Sequence, residues 1–303
     1  MTGKLGKKAG SSCAVYPQNS AGGGIIIAGE IANDGASGDM QACVNKTSQK
    51  WAVGPGGITS GTSRGWWCLA DSANSAYFYP YTNDFTVSAM TCLRESFGHY
   101  ELNTTGWSDS LPHIITLDAG FSDNGQLFIA GTGKVVVNHV PVAFGGKAAY
   151  SGNVTVQNSA TLAINAGKRI TTGAISFATG TTLALPQTGT VTMGGNLTLA
   201  AGTTIAYTLS AAGQTTLDVT GKTLTRPEEG MVVISVAGKS GKAVRSKTPY
   251  TLISGANLTE DDLAKFTLGA NPPEWVRGEN ALVVEDGDLK LYTMNPGLCI
   301  KIK

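Results

Sequence analysis

Residues 152–164 read GNVTVQNSATLAI, and three other segments of the chain repeat this pattern. Each copy has a glycine, two apolar residues at alternate positions, a turn of small residues, and two more apolar residues at alternate positions. The other copies are GQLFIAGTGKVVV at 125–137, GAISFATGTTLAL at 173–185 and GNLTLAAGTTIAY at 195–207. Successive copies begin 27, 21 and 22 residues apart. A unit of this size cannot bury its own apolar face, so the repeat predicts copies stacked on one another.

The alternation within each copy predicts two short strands that each bury one face. In the second copy Val154 and Val156 point one way, while Thr155 points the other way. Equivalent residues of successive copies would lie about 4.8 Å apart and form ladders. Small residues are needed at the turn, where Gly180 and Gly202 allow positive φ. The predicted buried residues are Leu127, Ile129, Val154, Val156, Leu162, Ile164, Ile175, Phe177, Leu183, Leu185, Leu197, Leu199, Ile205 and Tyr207.

The whole chain divides into three parts by composition and periodicity. Residues 1–50 are rich in Gly, Ser and Asn and predict an irregular segment with one strand near residues 25–27. Residues 51–225 predict the stack, with clear repeats at 125–210. Charged residues return in 226–303, where the sequence predicts strands, a short helix after Thr259 and a hairpin at 282–291. This last part is expected to cap the final copy of the stack.

Composition excludes some classes of partner. Charged residues make up 14% of the chain, Gly occurs 40 times and the net charge is +1, so no basic footprint for nucleic acid is present. No apolar run has the length of a membrane helix, and none in the first 30 residues has the length of a signal peptide. We therefore expect no membrane insertion, no export signal within this sequence, and a monomer.

The five cysteines are Cys13, Cys43, Cys68, Cys92 and Cys299. None of them forms a C-x-x-C pair, so the sequence gives no support to a zinc site or a thioredoxin-like site. Four of the five precede residue 93, and none lies in the repeats. Disulfides among these four and free thiols both remain open at this point.

Several segments resemble a known family. GKVVVN at 133–138, GNVTVQNSATLAINAGK at 152–168 and GGNLTLAAGTTIAYTLS at 194–210 resemble the autotransporter-associated β-strand repeat proteins, which are large exported bacterial proteins. TPYTLISG at 248–255, followed by a strand pair near 282–292, resembles the end of such passenger regions. The resemblance covers residues 110–295 and implies a right-handed, single-stranded parallel β-helix with an extracellular or cell-surface location.

Motifs for nucleophilic and metal chemistry are weak. The segment GTSRG at 61–65 fits the G-x-S-x-G pattern, but it lacks the preceding buried strand and the following helix of a nucleophile elbow. The histidines are His99, His113 and His139, and none has a second ligand at metal-binding spacing. We expect His139, which follows a repeat strand, to be either a loop residue or a satisfied surface residue. The sequence predicts no catalytic residue, no metal and no cofactor.

Acidic residues give the sharpest test for an enzyme. Between residues 121 and 225 the acids are Asp123 and Asp218, which the repeat length places several copies apart. Polysaccharide-cleaving enzymes use clustered carboxylates, with a pair about 5–10 Å apart. The repeats are therefore not expected to cleave polysaccharides. Only the first third leaves room for such a site, where the acids Asp71, Asp84, Glu95 and Glu101 lie near the basic residues Arg64 and Arg94.

Aromatic residues in the first third are the best binding candidates. Their rings can stack on sugars and on cations, or can instead fill widened first copies of the stack. The candidate binding residues are Trp66, Trp67, Tyr77, Tyr79 and Tyr81.

Three functions follow as hypotheses. The first is a non-enzymatic exported or cell-surface protein that serves as a structural or adhesin-like passenger segment. The second is a binding module whose aromatics hold host or environmental glycans or surface polymers. The third is a polysaccharide lyase or hydrolase, which the sparse acids disfavour.

Overall fold

The structure is a computed structural model of the chain. The protein is nearly all β, with 53% strand and 3% helix, so the predicted all-β class is confirmed. The structure describes residues 4–6, 13–15, 25–33, 40–44, 49–60, 66–70, 75–93, 99–144, 146–209, 215–238, 248–270, 272–273, 275–276 and 281–293.

The elements of the described residues are short strands and one 3₁₀ helix, Glu260–Lys265. In chain order the strands are β1 (Lys4–Gly6), β2 (Cys13–Val15), β3 (Ile25–Asn33), β4 (Met40–Val44), β5 (Gln49–Ser60), β6 (Trp66–Ala70), β7 (Ser75–Pro80), β8 (Phe85–Val87), β9 (Thr91–Leu93), β10 (His99–Asn103), β11 (Ile114–Leu117), β12 (Phe121–Asp123), β13 (Gln126–Ala130), β14 (Lys134–Val137), β15 (Val154–Val156), β16 (Thr161–Ile164), β17 (Ile175–Phe177), β18 (Thr182–Leu185), β19 (Gly189–Thr192), β20 (Leu197–Leu199), β21 (Thr204–Leu209), β22 (Thr215–Asp218), β23 (Leu224–Thr225), β24 (Val232–Gly238), β25 (Tyr250–Ser254), β26 (Phe266–Leu268), β27 (Leu282–Glu285) and β28 (Asp288–Leu291).

The strands form three rows, and neighbours within each of the first two rows are parallel. Row one runs from the first halves of β3 and β5 through β7, β10, β13, β15, β17 and β20 to β23. Row two runs from β1 and the second halves of β3 and β5 through β8, β11, β14, β16, β18, β21 and β24 to β26. Together they make an 18-stranded sheet, which is consistent with a parallel β-helix.

Row three lies in two separate sheets. Its first part is β2, β4, β6, β9 and β12, and its second part is β19, β22 and β25. Between β12 and β19 the described residues contribute no strand to this row. The segment between β14 and β15 is long, and it comes back to β12, where Ala149 and Ser122 form an isolated β-bridge. This longer connection accounts for the wide spacing between the first two copies of the repeat.

The predicted interior ladders are confirmed. Val154 pairs with Ile175 and Ile175 with Leu197, and the next ladder joins Val156, Phe177 and Leu199 in the same way. All fourteen residues predicted to be buried have at most 2% of their surface exposed. Because each side chain packs on its equivalents in the neighbouring copies, the core is continuous from one copy to the next.

The glycine that begins each copy is required by close backbone contact. A Cβ atom at Gly152 would lie 2.1 Å from the carbonyl oxygen of Gly125. A Cβ atom at Gly195 would likewise lie 2.3 Å from the oxygen of Gly173. These glycines stack directly on one another at the corner before row one, so no side chain fits there. The turn after row one also behaves as predicted, since Gly180 has a φ of 76°.

The first fifty residues contain more regular structure than the sequence predicted. Instead of loops and one short strand, they contain β1 to β4 and the first residues of β5. These strands pair in parallel with their successors, as when Ile27 pairs with Ala52. Three-residue strands between Gly-rich segments show little periodicity, so pairing with the next copy, rather than local preference, defines them.

The C-terminal part contains the predicted helix and hairpin. Thr259 caps the 3₁₀ helix, and its backbone N–H and hydroxyl both donate to the Asp262 carboxylate. Strands β27 and β28 form the hairpin, and β28 pairs antiparallel with β25 at the end of row three. Buried Trp275 and Val276 add to the core at this end. The antiparallel strand therefore ends the succession of parallel strands in row three.

Among the described residues, no helix has both the length and the apolar character needed to cross a membrane.

Candidate functional site

A cluster of rings occupies the outward side of row one, in β7, β10 and β13. Strand alternation places Phe78 and Tyr100 in the core, so their neighbours Tyr77 and Glu101 face outward. Glu101 pairs in turn with Phe128. We call Tyr77, Tyr79, His99, Trp107 and Phe128 the aromatic face.

The rings of the aromatic face contact one another across strands. His99 stacks on Phe128 with ring centres 3.8 Å apart and an angle of 9° between the planes. On its other side His99 meets Tyr77 at 5.5 Å. Tyr79 contacts Trp107 edge to face, with ring centres 5.1 Å apart. These contacts hold the side chains in fixed orientations, and His99 has a neighbouring ring on each side.

Trp107 reaches this face because the connection between β10 and β11 folds back. The backbone N–H of Trp107 donates to the carbonyl of Pro80 at 2.7 Å, and that of Ser108 donates to Tyr81 at 3.0 Å. The turn is closed by the N–H of Gly106, which donates to the carbonyl of Leu111 at 2.8 Å. The Trp107 side chain remains 37% exposed, so one part of its ring is open to a ligand.

Two carboxylates and a histidine fix the base of this turn. The Asp109 carboxylate accepts the Leu111 backbone N–H at 3.0 Å and lies 3.0 Å from His113 Nε2. The Leu111 N–H, followed by His113, holds the pKa of Asp109 below its usual value. The Asp84 carboxylate lies 3.3 Å from the other ring nitrogen of His113, Nδ1. The same carboxylate accepts a hydrogen bond from the Ile114 N–H at 2.8 Å. The turn that carries Trp107 is therefore anchored to the neighbouring copy.

Glu101 lies beneath the rings and is only 7% exposed. Its two oxygens are taken by neighbours in the same strand: His99 Nε2 lies at 3.0 Å from one, and Asn103 Nδ2 donates to the other at 3.0 Å. Burial, and then the negative charge of Glu101, raise the pKa of Tyr79 to about 12. The Tyr79 phenol thus stays protonated at neutral pH and can donate a hydrogen bond.

One cation belongs to the site. Lys50, in β5, pairs with Tyr77 in the sheet and places its Nζ atom 5.4 Å from the centre of the Trp107 ring. An ammonium group at this distance interacts favourably with the face of an indole. Lys50 therefore adds to the positioning of Trp107 as well as to the charge of the site.

The structure separates the aromatic residues that the sequence grouped. Tyr77 and Tyr79 lie in row one on the aromatic face, and half-buried Tyr81 follows the strand, where its N–H donates to Val53 at 2.8 Å. Trp66 and Trp67 lie in β6 of row three, so they belong to a different side of the stack. Their side chains fall outside the described residues.

Sequence reasoning missed most of the aromatic face. His99, Trp107 and Phe128 are not in the aromatic run, and Lys50 lies about one copy earlier in the chain. The alternation of Tyr77 and Tyr79 was the available signal for an outward ring pair. The other side chains could be added only with the register between strands, which copies of unequal length do not reveal.

Among the residues that the structure describes, the remaining polar groups do not come together in a second site. Asp123 pairs with Lys147 at 3.4 Å, while Asp218 accepts from the Thr220 hydroxyl. These two acids lie in β12 and β22, and row three joins neither strand to the other. Asp71, Glu95, Arg64 and Arg94 fall outside the described residues. Within the described part of the chain, no three His, Cys, Asp or Glu side chains are placed to hold a metal ion.

Two further expectations concern buried groups. His139 lies in the loop after β14, as one expectation had it, but the expected surface position is wrong, since the side chain is 5% exposed and lies edge to face with Phe121 at 5.4 Å. The long connection after β14 carries it inward, which the repeat pattern does not show. Cys92 is a free thiol inside the protein, and burial raises its pKa. The side chains of Cys13, Cys43, Cys68 and Cys299 fall outside the described residues.

The aromatic face is thus a fixed, partly exposed set of rings around a buried carboxylate. Its chemistry suits stacking and hydrogen bonding, because its carboxylate already has two partners and Tyr79 keeps its proton. Comparisons of the chain with protein-family models, with curated proteins and with solved structures find no match.

Proposed function

We propose that the chain is a right-handed, single-stranded parallel β-helix whose aromatic face binds glycans. The strands of rows one and two and the stacked corner glycines support the β-helix, because both recur once in each of the four copies. Crossovers between parallel strands are right-handed in nearly all proteins, which supports the hand. In this proposal residues 226–303 cap the helix.

One observation carries the binding function. The outward side of row one presents Tyr77, Tyr79, His99, Phe128 and Trp107 as neighbouring rings, although outward positions elsewhere in the repeats are mostly small or polar. Large rings at the surface cost solvation unless a ligand or partner covers them. Pyranose rings present flat C–H faces that stack on aromatic side chains, and their hydroxyls suit hydrogen-bonding groups at the edge.

The same geometry favours binding without turnover. General acid–base catalysis needs a group within hydrogen-bond reach of the proton that it moves. Glu101 is nearly buried and its oxygens are already occupied by His99 and Asn103. A ligand on the rings would therefore meet Tyr79 and Lys50 before it met the carboxylate. We propose a non-enzymatic protein for this reason.

The setting that we propose is the cell surface or the extracellular space, in line with the resemblance to exported repeat proteins. In an adhesin-like passenger segment, the long regular part of the stack would serve as a spacer. The aromatic face would provide the contact with host or environmental glycans or with surface polymers. The structural and binding hypotheses then describe two parts of one molecule.

The test is a binding screen of the purified chain against immobilised polysaccharides. Trp107→Ala and Tyr79→Ala should each weaken binding about tenfold, since a ring lost from a stacking site costs roughly 1–1.5 kcal/mol. Met231→Ala is the matched control, because Met231 is an exposed apolar residue far along the chain from the face. Binding that survives both ring variants, or release of sugars during the incubation, would contradict the proposal.

A further inference from the structure

An unbroken column of outward side chains crosses eight strands of row one. Each member pairs in parallel register with the next, so successive members lie about 4.8 Å apart. The column consists of Lys50, Tyr77, Glu101, Phe128, Thr155, Ser176, Thr198 and Thr225. It begins at the aromatic face and continues far into the regular repeats.

The second half of the column consists of hydroxyl groups. Thr155 and Ser176 are half-buried, and Thr198 and Thr225 are exposed. The residues on either side of them in each strand, such as Leu197 and Leu199, are buried, so the hydroxyls stand alone on the outward side. None of the four hydroxyls has a hydrogen-bond partner among the described residues. Each can therefore donate to a ligand and accept from it.

We propose that this column is one binding track for an extended, uncharged polysaccharide that lies along the stack and across the strands. This rests on the proposed glycan-binding function and adds the direction, the length and the charge class of the ligand. The strand spacing of about 4.8 Å is close to the length of one pyranose unit in an extended chain. Successive sugars would therefore meet successive strands, first on rings and then on hydroxyls.

The charges of the track indicate a neutral ligand. Lys50 lies against the Trp107 ring, and the Glu101 carboxylate is buried between His99 and Asn103. Beyond Phe128 the column contains no charged side chain. A polyuronate carries one carboxylate per sugar. Beyond Phe128, each of these carboxylates would leave water for a part of the track that has no cation to pair with it. Neutral sugars carry no such cost.

The test measures how affinity depends on ligand length. Xylo-, cello- and chito-oligosaccharides from the disaccharide to the hexasaccharide, and galacturonate oligomers of equal length, are titrated calorimetrically against the full chain. Each added neutral sugar beyond the trisaccharide should raise the affinity about threefold, because one hydroxyl pair contributes about 0.6 kcal/mol.

A substitution in the middle of the track makes the test specific. Ser176→Arg should weaken hexasaccharide binding about tenfold and leave disaccharide binding unchanged, since the nearest ring of the column, Phe128, lies two strands away. Thr198→Arg is a second variant of the same design, in case the first does not fold. Thr182→Arg is the matched control. Thr182 lies on the outward side of row two, in the next strand of the chain, so its substitution should leave the affinities for the disaccharide and the hexasaccharide unchanged.

The outcomes separate the two proposals. If no oligosaccharide binds at any length, the glycan-binding function itself fails. If short and long neutral chains bind equally, or if both arginine variants bind hexasaccharides like the original chain, the aromatic face binds sugar but the track does not exist. Tighter binding of the galacturonate oligomers would overturn the inference of a neutral ligand.

Discussion

Replacing Gly173 by alanine tests the contact between successive copies most directly. The new Cβ atom would lie 2.3 Å from the Ser151 oxygen, and 2.7 Å and 3.0 Å from the oxygen and carbonyl carbon of Gly152. Unstrained contacts of carbon with such atoms are about 3.5–4 Å. All three contacts are with backbone atoms, so no rotation of a side chain can relieve them.

The size of the effect follows from what must move. Restoring normal contacts would separate the two copies by about 1 Å at this corner. Two backbone hydrogen bonds cross it, beside those of the threonine hydroxyls: the Val154 N–H donates to Ala174 at 2.9 Å, and the Thr172 N–H donates to Tyr150 at 3.0 Å. Weakening both, at about 1 kcal/mol each, together with the residual crowding, should lower the free energy of unfolding by about 3 kcal/mol. The melting temperature should fall by roughly 6 °C.

The assay is thermal and urea unfolding followed by circular dichroism. Gly221→Ala is the control, because Gly221 has a φ of 70° but no atom within 4 Å of the new Cβ position. Gly221→Ala should lower the free energy of unfolding by about 1 kcal/mol, because alanine adopts the left-handed backbone conformation less readily than glycine. If Gly173→Ala destabilises the protein no more than Gly221→Ala does, the copies do not stack through these glycines and the fold proposal loses its main support.

Three further predictions concern the core, the buried histidine and the cap. Ile175→Asp should cost several kcal/mol, since it buries an unpaired charge, whereas Ser176→Asp on the opposite side of the same strand should cost little; equal melting temperatures would contradict the ladder. Burial lowers the pKa of His139 from 6.5 to about 4, so between these values the unfolded chain binds a proton that the folded protein does not. His139 should therefore lower the free energy of unfolding by about 2–3 kcal/mol between pH 7 and 4.5. In urea titrations the His139→Gln variant should lose that much less stability over the same pH range than the original chain. Deletion of residues 226–303 should cause aggregation in size-exclusion chromatography, because the last strands would be uncovered; a soluble and equally stable monomer would show that this segment is not a cap.

The sequence predicted rows one and two well within the four copies, but it missed their first strands and predicted row three poorly. In rows one and two the strands recur at fixed distances from a glycine, so alternation identifies both the strands and their buried side. Row three has no such marker. Its strands vary in position, and after β12 the row is interrupted until β19 within the described residues. Pairing between copies defines those strands, and a single copy of the sequence does not contain that information.

The site could be predicted only in part, for a related reason. Tyr77 and Tyr79 alternate within one strand, so their common direction is a local property. Their contacts with His99 and Phe128 depend on which residues of later copies lie beside them. The position of Trp107 depends on a turn that folds back on the preceding copy. Side chains brought together by register and by a returning turn cannot be found from spacing along the chain.

The parallel pairing of successive copies also explains how binding residues could collect on one stretch of an otherwise uniform surface. Stability depends on the inward positions of each strand and on the corner glycines, which are the same in every copy. Outward positions contribute little to the core, so a hydroxyl at Thr155 and a ring at Phe128 are equally compatible with the fold. Because outward side chains contribute little to the core, the column can change from rings to hydroxyls while the strands stay the same. Substitutions at the outward positions should therefore alter binding while the melting temperature stays nearly constant, and substitutions at the inward positions should do the reverse.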